Sequence, residues 1–371
     1  MQNVDSVARR PVNRRGFLAG TGGAMLSAAG LAACGGSSGG SGSSSKASKV
    51  RLTLTTFAAP GWTTEPKAVI AKYTKDHPNV SVDVLIEGAD TFAQMIAAKA
   101  ATPDQNIVDI GFYNAQQFAQ GAAAGLFDTI HPSEMPSYSN VLPAYRPASL
   151  KGIGCQAEIE GLIYNTKFVK SPPNSWADLW SPAYKGKMLV WEYDWDMLLM
   201  AAKTLTGSTT NMGAAFKIFQ EHAGNIAAQV QTNTQFENLL RSGDAWIAAW
   251  SNDVSAAWIK AGEPFQWVMP KEGGESRPLY MAITSNLTPA ARKAAMYIIN
   301  EFLTPEVAGR HAANTSQISI VDNAIIPASL KNGPYTNPNL LKHTVLPDWA
   351  SVGKNDAAWR QQWNTDVASH V

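Results

Sequence analysis

Residues 175–196, SWADLWSPAYKGKMLVWEYDWD, fall into two halves that predict different things. In the first half, Ser175 can cap a helical turn that has Trp176 and Leu179 on its buried face, and an apolar strand follows. The second half, WEYDWD, holds three carboxylates, two indoles and one phenol within six residues. Such a group directly after a strand indicates a binding site for a cation, or else the solvated start of a helix.

Strand-like and helix-like segments alternate on both sides of this stretch. RLTLTTF (residues 51–57) alternates apolar and polar residues, and a helix with Pro66 in its first turn follows it. The predicted strands are 51–57, 80–86, 108–112, 162–165, 188–191, 245–250, 265–269 and 279–283, and the predicted helices are 64–76, 91–101, 115–124, 196–205, 212–223, 235–240, 254–261, 289–303 and 356–368. This β-α-β order predicts mainly parallel sheets with helices on both faces.

The strands and helices form two sets of similar size, which predicts a two-lobed α/β protein. The expected boundaries are 50–153 plus 279–320 for lobe 1, 154–278 for lobe 2, and 321–371 for a C-terminal segment that packs on the lobes. Ligands of open parallel sheets lie beyond the carboxyl ends of the strands. The residues at four strand ends would therefore reach a cleft shared by the lobes: Phe57, Phe112, Trp191 and Trp250.

The N-terminal residues carry export and anchoring signals. Arg14-Arg15 precede an apolar run that is short and rich in Gly and Ala, which is typical of a twin-arginine signal peptide and predicts one over residues 1–33. The run ends in LAAC, which resembles a bacterial lipobox and predicts lipidation at Cys34. Residues 34–49 continue as a flexible Gly/Ser linker. We expect export by the twin-arginine route and a lipid anchor at the outer face of the cytoplasmic membrane or in the periplasm.

Composition argues against several classes of function. The chain has 30 Lys and Arg against 29 Asp and Glu, and residues 1–33 hold four of the basic and one of the acidic residues, so the remainder carries a net charge of −2. A nucleic-acid-binding protein would show a basic surplus. Cys155 is the one cysteine besides Cys34, so no disulfide framework is predicted. The six His are scattered and match no metal or catalytic motif, so we expect no enzyme, no metal and no cofactor.

Several motifs resemble those of the spermidine/putrescine-binding proteins of bacterial ABC importers. They are SWADLW (175–180) with Pro182, Tyr184, Lys185 and Gly186 after it, GLIYN (161–165), WSN (250–252), PKEGG (270–274) and NEFLTPEVA (300–308). The resemblance implies two lobes, joined by crossover strands, that close on a small-molecule solute and deliver it to ABC permease subunits. We expect a monomer that binds no nucleic acid, with a surface lipoprotein without a transport role as an alternative.

The resemblance also implies which residues bind the solute. In polyamine-binding proteins the loop after the strand 188–191 supplies carboxylates to ammonium groups, a tryptophan at the place of Trp250 stacks on the ligand, and lobe 1 adds one aromatic residue and polar groups. The predicted ligand-binding residues are Phe57, Tyr113, Asn114, Gln116, Trp191, Glu192, Tyr193, Asp196, Trp250, Arg277 and Tyr280.

One position departs from the polyamine-binding pattern. After Gly273-Gly274 those proteins carry a Trp and an Asp that hold a ligand amine, whereas this chain reads RPLY from Arg277 to Tyr280. A guanidinium that faces the cleft repels an ammonium group and attracts a carboxylate or phosphonate, unless Arg277 neutralises Glu192 or points to solvent. The sequence favours an amine-bearing, polyamine-like solute. It leaves open a zwitterionic or anionic solute, such as an aminophosphonate or a carboxylate, or ferric ion.

Overall fold

Two sets of parallel strands and their helices dominate the computed structural model, which describes residues 48–88, 90–193 and 195–371. The strands are β1 Val50–Thr56, β2 Val80–Ile86, β3 Ile110–Asn114, β4 Ile153–Asn165, β5 Met188–Trp191, β6 Ile226–Val230, β7 Ile247–Ser251, β8 Phe265–Val268, β9 Gly274–Ile283, β10 Ile318–Ser319 and β11 Thr344–Val345. The helices are α1 Thr64–Asp76, α2 Thr91–Ala101, α3 Ala115–Ala123, α4 Asp196–Thr206, α5 Met212–Glu221, α6 Asn233–Ser242, α7 Asn252–Lys260, α8 Pro289–Phe302, α9 Pro305–Thr315, α10 Ala328–Lys331 and α11 Trp349–Asp366.

The strands form a sheet with the order β2-β1-β3-β9-β4-β7-β5-β6, and the short strands β8, β10 and β11 pair with β4 or β9. The N-terminal half-sheet, β2-β1-β3, is parallel throughout. The C-terminal half-sheet, β7-β5-β6, is also parallel. This arrangement confirms the α/β class with parallel sheets that the sequence predicts. Strand β6 escaped prediction because its sequence, IAAQV, is short and shows no clear alternation.

Strands β4 and β9, here called the crossover strands, join the two half-sheets. They run antiparallel to each other from the pair Ile153↔Met281 to the pair Glu160↔Glu275. Beyond this shared stretch, β4 pairs with β7 of the C-terminal half-sheet, and β9 pairs with β3 of the N-terminal half-sheet. The sequence predicts only the apolar ends of these strands, because charged residues interrupt the hydrophobic pattern where the two strands pair.

The SWADLW segment is architectural, as predicted. The Ser175 hydroxyl accepts a hydrogen bond from the backbone N–H of Ala177 at 3.1 Å and so caps a short 3-10 helix at Trp176–Trp180. The indole of Trp176 is fully buried, and its Nε1 donates to the carbonyl oxygen of Gly273 at 2.8 Å. These bonds fix the segment against the loop that leads into β9.

The C-terminal helix α11 packs against helices of both half-sheets. Its neighbours include α3, which follows β3, and α5 of the C-terminal half. Trp363 is buried among C-terminal core residues, and its Nε1 donates to Gln229 Oε1 at 2.9 Å. Within the part of the chain that the structure describes, no helix has both the length and the hydrophobicity that a membrane crossing requires. The signal peptide, Cys34 and most of the linker, up to residue 47, lie outside the described residues.

Candidate functional site

A cluster of charged side chains lies where the crossover strands meet the end of β5. Cross-strand pairing sets Glu158 opposite Arg277 and Glu160 opposite Glu275. Directly opposed side chains on neighbouring antiparallel strands lie about 5 Å apart at Cβ, so these four residues form one patch. Asp196, the first residue of α4, joins them from the end of β5. We call Glu158, Glu160, Asp196, Glu275 and Arg277 the acidic cluster.

The guanidinium of Arg277 holds three of these carboxylates. Its Nε lies 3.0 Å from Asp196 Oδ2 and 3.6 Å from Glu158 Oε1, and its Nη1 lies 3.7 Å from Glu160 Oε2. A planar guanidinium can bridge several carboxylates at once, which a lysine ammonium does less well. The Arg277 side chain is 25% exposed, and these ion pairs join it to acids of the cluster.

Glu275 is the most deeply buried member of the acidic cluster. Its side chain is 0% exposed, and neither carboxylate oxygen accepts a hydrogen bond from a donor among the described residues. Burial raises the pKa of this carboxyl well above its ordinary value, the negative charge of Asp196 raises it further, and Arg277 acts in the opposite direction. A proton held by Glu275 has Asp196 as its acceptor.

The acidic cluster has a large excess of negative charge for a buried site. The side chains of Glu160 and Asp196 are 2% and 1% exposed, so together with Glu275 they place three carboxylates out of solvent contact. Moving a carboxylate from water into a protein interior costs several kcal/mol even after relaxation. Even when Glu275 holds a proton, one guanidinium faces the three acids Glu158, Glu160 and Asp196. The arrangement is suited to accept one or more additional cations.

An aromatic group lies at the ends of β5 and β7, where Trp250 stands opposite Gly161 and so takes the other face of β4 from Glu160. The ring centroids of Trp191 and Trp250 are 4.9 Å apart, and Trp250 also stacks on Phe236 at 4.2 Å. Trp250 is buried, and its indole Nε1 has no hydrogen-bond partner within the described residues. Trp191 is half-buried and offers the more accessible indole face. Of the predicted set, the structure thus brings Asp196 and Arg277 together, and it brings Trp191 and Trp250 together in a separate ring group.

The rest of WEYDWD contacts other parts of the chain. Glu192 accepts a hydrogen bond from the side-chain amide of Gln231. Tyr193 has a positive φ of 57°, and its ring lies under the guanidinium of Arg360 at 4.2 Å. Its hydroxyl is 3.3 Å from the Asn364 side chain. Both Arg360 and Asn364 belong to α11, so Tyr193 contacts the C-terminal helix.

Two of the predicted polar residues in the N-terminal half make bonds within the fold. Asn114 caps α3: its Oδ1 accepts from the backbone N–H of Gln117 at 2.8 Å. Gln116 Nε2 donates to Asp356 Oδ1 of α11 at 3.2 Å. The same oxygen accepts from Trp195 Nε1 at 2.9 Å, so Asp356 links the end of β3 to the segment that precedes α4.

The three predicted ring residues near the N-terminal half pack against other rings. Tyr113 is fully buried, and its pKa is raised mainly by that burial. Tyr280 stacks on Phe118 with a centroid distance of 4.2 Å, and Phe57 packs edge-on against Trp62 at 4.8 Å. Tyr113 and Tyr280 thus belong to the ring-packed core of the N-terminal half.

Sequence reasoning missed Glu158, Glu160 and Glu275. A signal was available: QAEIEG (156–161) and GESR (274–277) place charges at every second position in segments flanked by apolar strands. Residues two apart on a strand share a face, so such spacing predicts one charged face on an otherwise buried strand. The predicted strands begin only after these segments, at residues 162 and 279.

The structure describes no metal-binding group and an inert cysteine. Among the described residues, no group of three or more His, Cys, Asp or Glu is arranged to hold a metal ion. Burial raises the pKa of the Cys155 thiol to about 12, and its Sγ donates to the Leu279 carbonyl oxygen at 3.3 Å. Cys155 is therefore a small buried side chain, as the sequence analysis expected.

Solved structures share the fold over most of the chain. An ABC transporter protein from Clostridium perfringens ATCC 13124 matches with a TM-score of 0.70 at 20% identity, covering 85% of this chain and 99% of that chain. A spermidine/putrescine ABC transporter substrate-binding protein from Streptococcus pneumoniae matches with a TM-score of 0.67 at 16% identity, covering 85% and 100%. This likeness confirms the two-lobed periplasmic-binding-protein fold.

Sequence relatives point to the same group of proteins. A spermidine/putrescine-binding periplasmic protein of Escherichia coli (strain K12) is 32% identical over 142 residues, which covers 36% of this chain and 39% of that protein. The chain thus spans well under half the length of this curated relative. A family model described as bacterial extracellular solute-binding protein matches residues 68–342. Because this match covers well over half of the sequence, the chain belongs to the bacterial extracellular solute-binding protein family.

Proposed function

We propose that this chain is the substrate-binding component of an ABC importer, which captures a small amine-bearing, polyamine-like solute between its lobes and delivers it to permease subunits. The observation that carries the proposal is the acidic cluster, in which three carboxylates are almost fully buried around one arginine. An ammonium group supplies the charge that the cluster lacks, and charge-assisted hydrogen bonds to carboxylates are about twice as strong as neutral ones.

The aromatic group adds a second feature that suits an amine. A cation over an indole face gains about 0.5–2 kcal/mol, and Trp191, the last residue of β5, is only half-buried. The sequence relatives from Escherichia coli and Salmonella typhimurium are named spermidine/putrescine-binding periplasmic proteins. Both observations favour a polyamine-like solute over an anionic one.

The proposed mechanism is closure of two lobes on the solute. We assign residues 50–153 plus 279–320 to lobe 1 and 154–278 to lobe 2; pairing of β9 residues 279–283 with β3 supports this division. A solute favours the closed form only through contacts that it makes there. Shifting the population of the closed form from 1% to 99% takes about 5.5 kcal/mol of differential affinity.

The N-terminal signals support a place for this protein in the cell envelope. We propose export by the twin-arginine route, acylation of Cys34, and a monomer tethered by residues 34–49 at the outer face of the cytoplasmic membrane or in the periplasm. The role is binding and delivery without catalysis. Radiolabelled fatty acid incorporated into the wild-type protein, and absent from a Cys34→Ala variant, would support the anchor; equal labelling of both would overturn it.

Thermal-shift screening of the purified protein tests the ligand class. A ligand bound only by the folded form raises the apparent stability by about 2.7 kcal/mol at 100 times its dissociation constant. We expect putrescine or spermidine to raise the melting temperature, with titration calorimetry to confirm saturation. A shift with aminophosphonates, carboxylates or ferric ion, and none with amines, would overturn the proposed amine ligand. No shift with any of them would favour a surface lipoprotein without a transport role.

A further inference from the structure

Arg277 occupies a place in the acidic cluster where an ammonium group of a solute would otherwise bind. Its guanidinium is within 3.0–3.7 Å of carboxylate oxygens on three different acids. Exposure of the side chains rises from 0% at Glu275 to 17% at Glu158 and 25% at Arg277. The arginine therefore lies on the more open side of the cluster and leaves the most buried carboxylate, Glu275, to other cations.

We propose that Arg277 determines which amines the site selects, an inference that rests on the proposed function. Its guanidinium fills one cation position of the acidic cluster. The site therefore prefers a short diamine to a longer triamine. A triamine would bring a third ammonium group to a cluster that already contains a fixed positive charge. Placing like charges side by side in an interface costs several kcal/mol, which is a common way to exclude an unwanted ligand.

The contacts of Arg277 explain why the exclusion acts on the third ammonium group. Asp196 and Glu158 would be its natural partners, but Arg277 Nε already binds Asp196 at 3.0 Å and lies 3.6 Å from Glu158. A solute would have to displace the guanidinium to reach them. Glu275 is the most buried acid of the cluster, and we infer that an ammonium group of a diamine binds there while the contacts of Arg277 with Asp196 and Glu158 stay in place.

Arg277 could instead serve only to stabilise the crossover strands, because it stands directly opposite Glu158. Cross-strand ion pairs of this kind contribute to sheet stability. The two roles differ in what a substitution changes. A structural role predicts a lower melting temperature with an unchanged preference between amines, whereas a role in selection predicts a changed preference.

Titration calorimetry with putrescine and spermidine on four variants separates these roles. Arg277→Met should move the ratio of the two dissociation constants at least tenfold toward spermidine, and Arg277→Lys, which keeps the charge, should restore most of the wild-type ratio. Glu158→Gln removes a negative charge on the open side and should move the ratio toward putrescine. Glu272→Gln is the matched control, because Glu272 precedes β9 and bonds to Ser175 away from the cluster; its ratio should stay at the wild-type value.

Each outcome decides between the proposals. An unchanged ratio in Arg277→Met or, should that variant fail to fold, in Glu158→Gln overturns the role in selection and leaves amine binding intact. A wild-type preference for spermidine over putrescine also overturns it. If the wild-type protein binds neither amine, the proposed function fails together with this inference.

Discussion

The polar residues at the end of β3 are hydrogen-bonded within the chain, whereas acidic residues on the crossover strands face each other in a buried site. At the end of β3, Asn114 caps α3 and Gln116 donates to Asp356, so their hydrogen-bonding groups are used within the chain. On the crossover strands, Glu160 and Glu275 are opposed acids with almost no solvent contact. Like charges placed directly opposite each other destabilise a sheet.

This difference distinguishes polar side chains that stabilise the fold from polar side chains that bind a ligand. Polar groups that stabilise a fold are paired with groups of the same fold, as the capping interaction of Asn114 is. The charged form of a buried acid such as Glu275 destabilises the ligand-free protein, so the carboxyl holds a proton until a cation binds. The acidic cluster, rather than the end of β3, is therefore the region where the structure reflects binding.

Among substitutions in the two regions, replacing Glu275 should have the largest effect on amine affinity. We expect Glu275→Gln to weaken amine binding by at least about 30-fold, or about 2 kcal/mol, because truncating a buried charged partner costs 2–5 kcal/mol. The ligand-free variant should be as stable as the wild type or more stable. Titration calorimetry and denaturant unfolding measure the two effects, with Glu272→Gln as the control for affinity. If Glu275→Gln binds amines as tightly as the wild type, Glu275 does not belong to the binding site.

The pH dependence should follow from the same carboxyl. The folded pKa of Glu275 is raised above its ordinary 4.5, with Asp196, Glu160 and Arg277 as the charged groups around it. Its contribution to stability is full below the unfolded pKa and is lost as the pH rises through the folded pKa. Because a bound cation displaces the proton, amine affinity should rise over the same window by up to about tenfold per pH unit.

Stability and affinity measured from pH 4.5 upward test this coupling. Wild-type affinity should increase with pH while the stability of the ligand-free protein decreases, and Glu275→Gln should flatten both curves. An affinity that falls as the pH rises would mean that the bound solute is an anion or that another group controls binding.

Loss of the helix cap at the end of β3 should lower stability and leave amine affinity nearly unchanged, the reverse of the effects expected for Glu275→Gln. Asn114→Ala removes the capping interaction of α3 and should lower the free energy of unfolding by about 1 kcal/mol. Amine affinity should change less than about twofold. Asn114→Asp, which keeps a capping acceptor, is the matched control for stability. A large loss of affinity in Asn114→Ala without loss of stability would move Asn114 into the binding site.

The bond between Gln116 and Asp356 should give the smallest effect. This bond, 3.2 Å long, links α3 to α11, which contributes core residues to the C-terminal half. Gln116→Ala should change amine affinity by no more than about fivefold, since a single hydrogen bond contributes about 1 kcal/mol. A faster dissociation rate with an unchanged association rate, measured by stopped-flow fluorescence, is the expected form of the change.

The sequence predicts the half-sheets well and the crossover strands poorly. Regular periodicity located β1, α2 and β5 closely, and the cap and the proline at Thr288-Pro289 located the start of α8. Glu158, Glu160 and Glu275 were missed because their partners come from distant parts of the chain. The acidic cluster exists only once β4 and β9 pair.

Individual site residues show the same limit. Asp196 follows β5, so a rule about strand ends correctly selects it as a candidate residue. Tyr113 and Tyr280 also lie at strand ends, but each faces a ring-packed core instead of the cluster. Which face of a strand end a side chain occupies depends on packing that no local pattern records.

A crystal structure of the protein with putrescine or spermidine tests the central claim most directly. The account predicts an ammonium nitrogen about 2.7–3.2 Å from a carboxylate oxygen of Glu275, with Asp196 or Glu160 as a second partner. An amine bound away from the acidic cluster, with Glu275 still unpaired, would contradict the claim that these buried acids form the solute site.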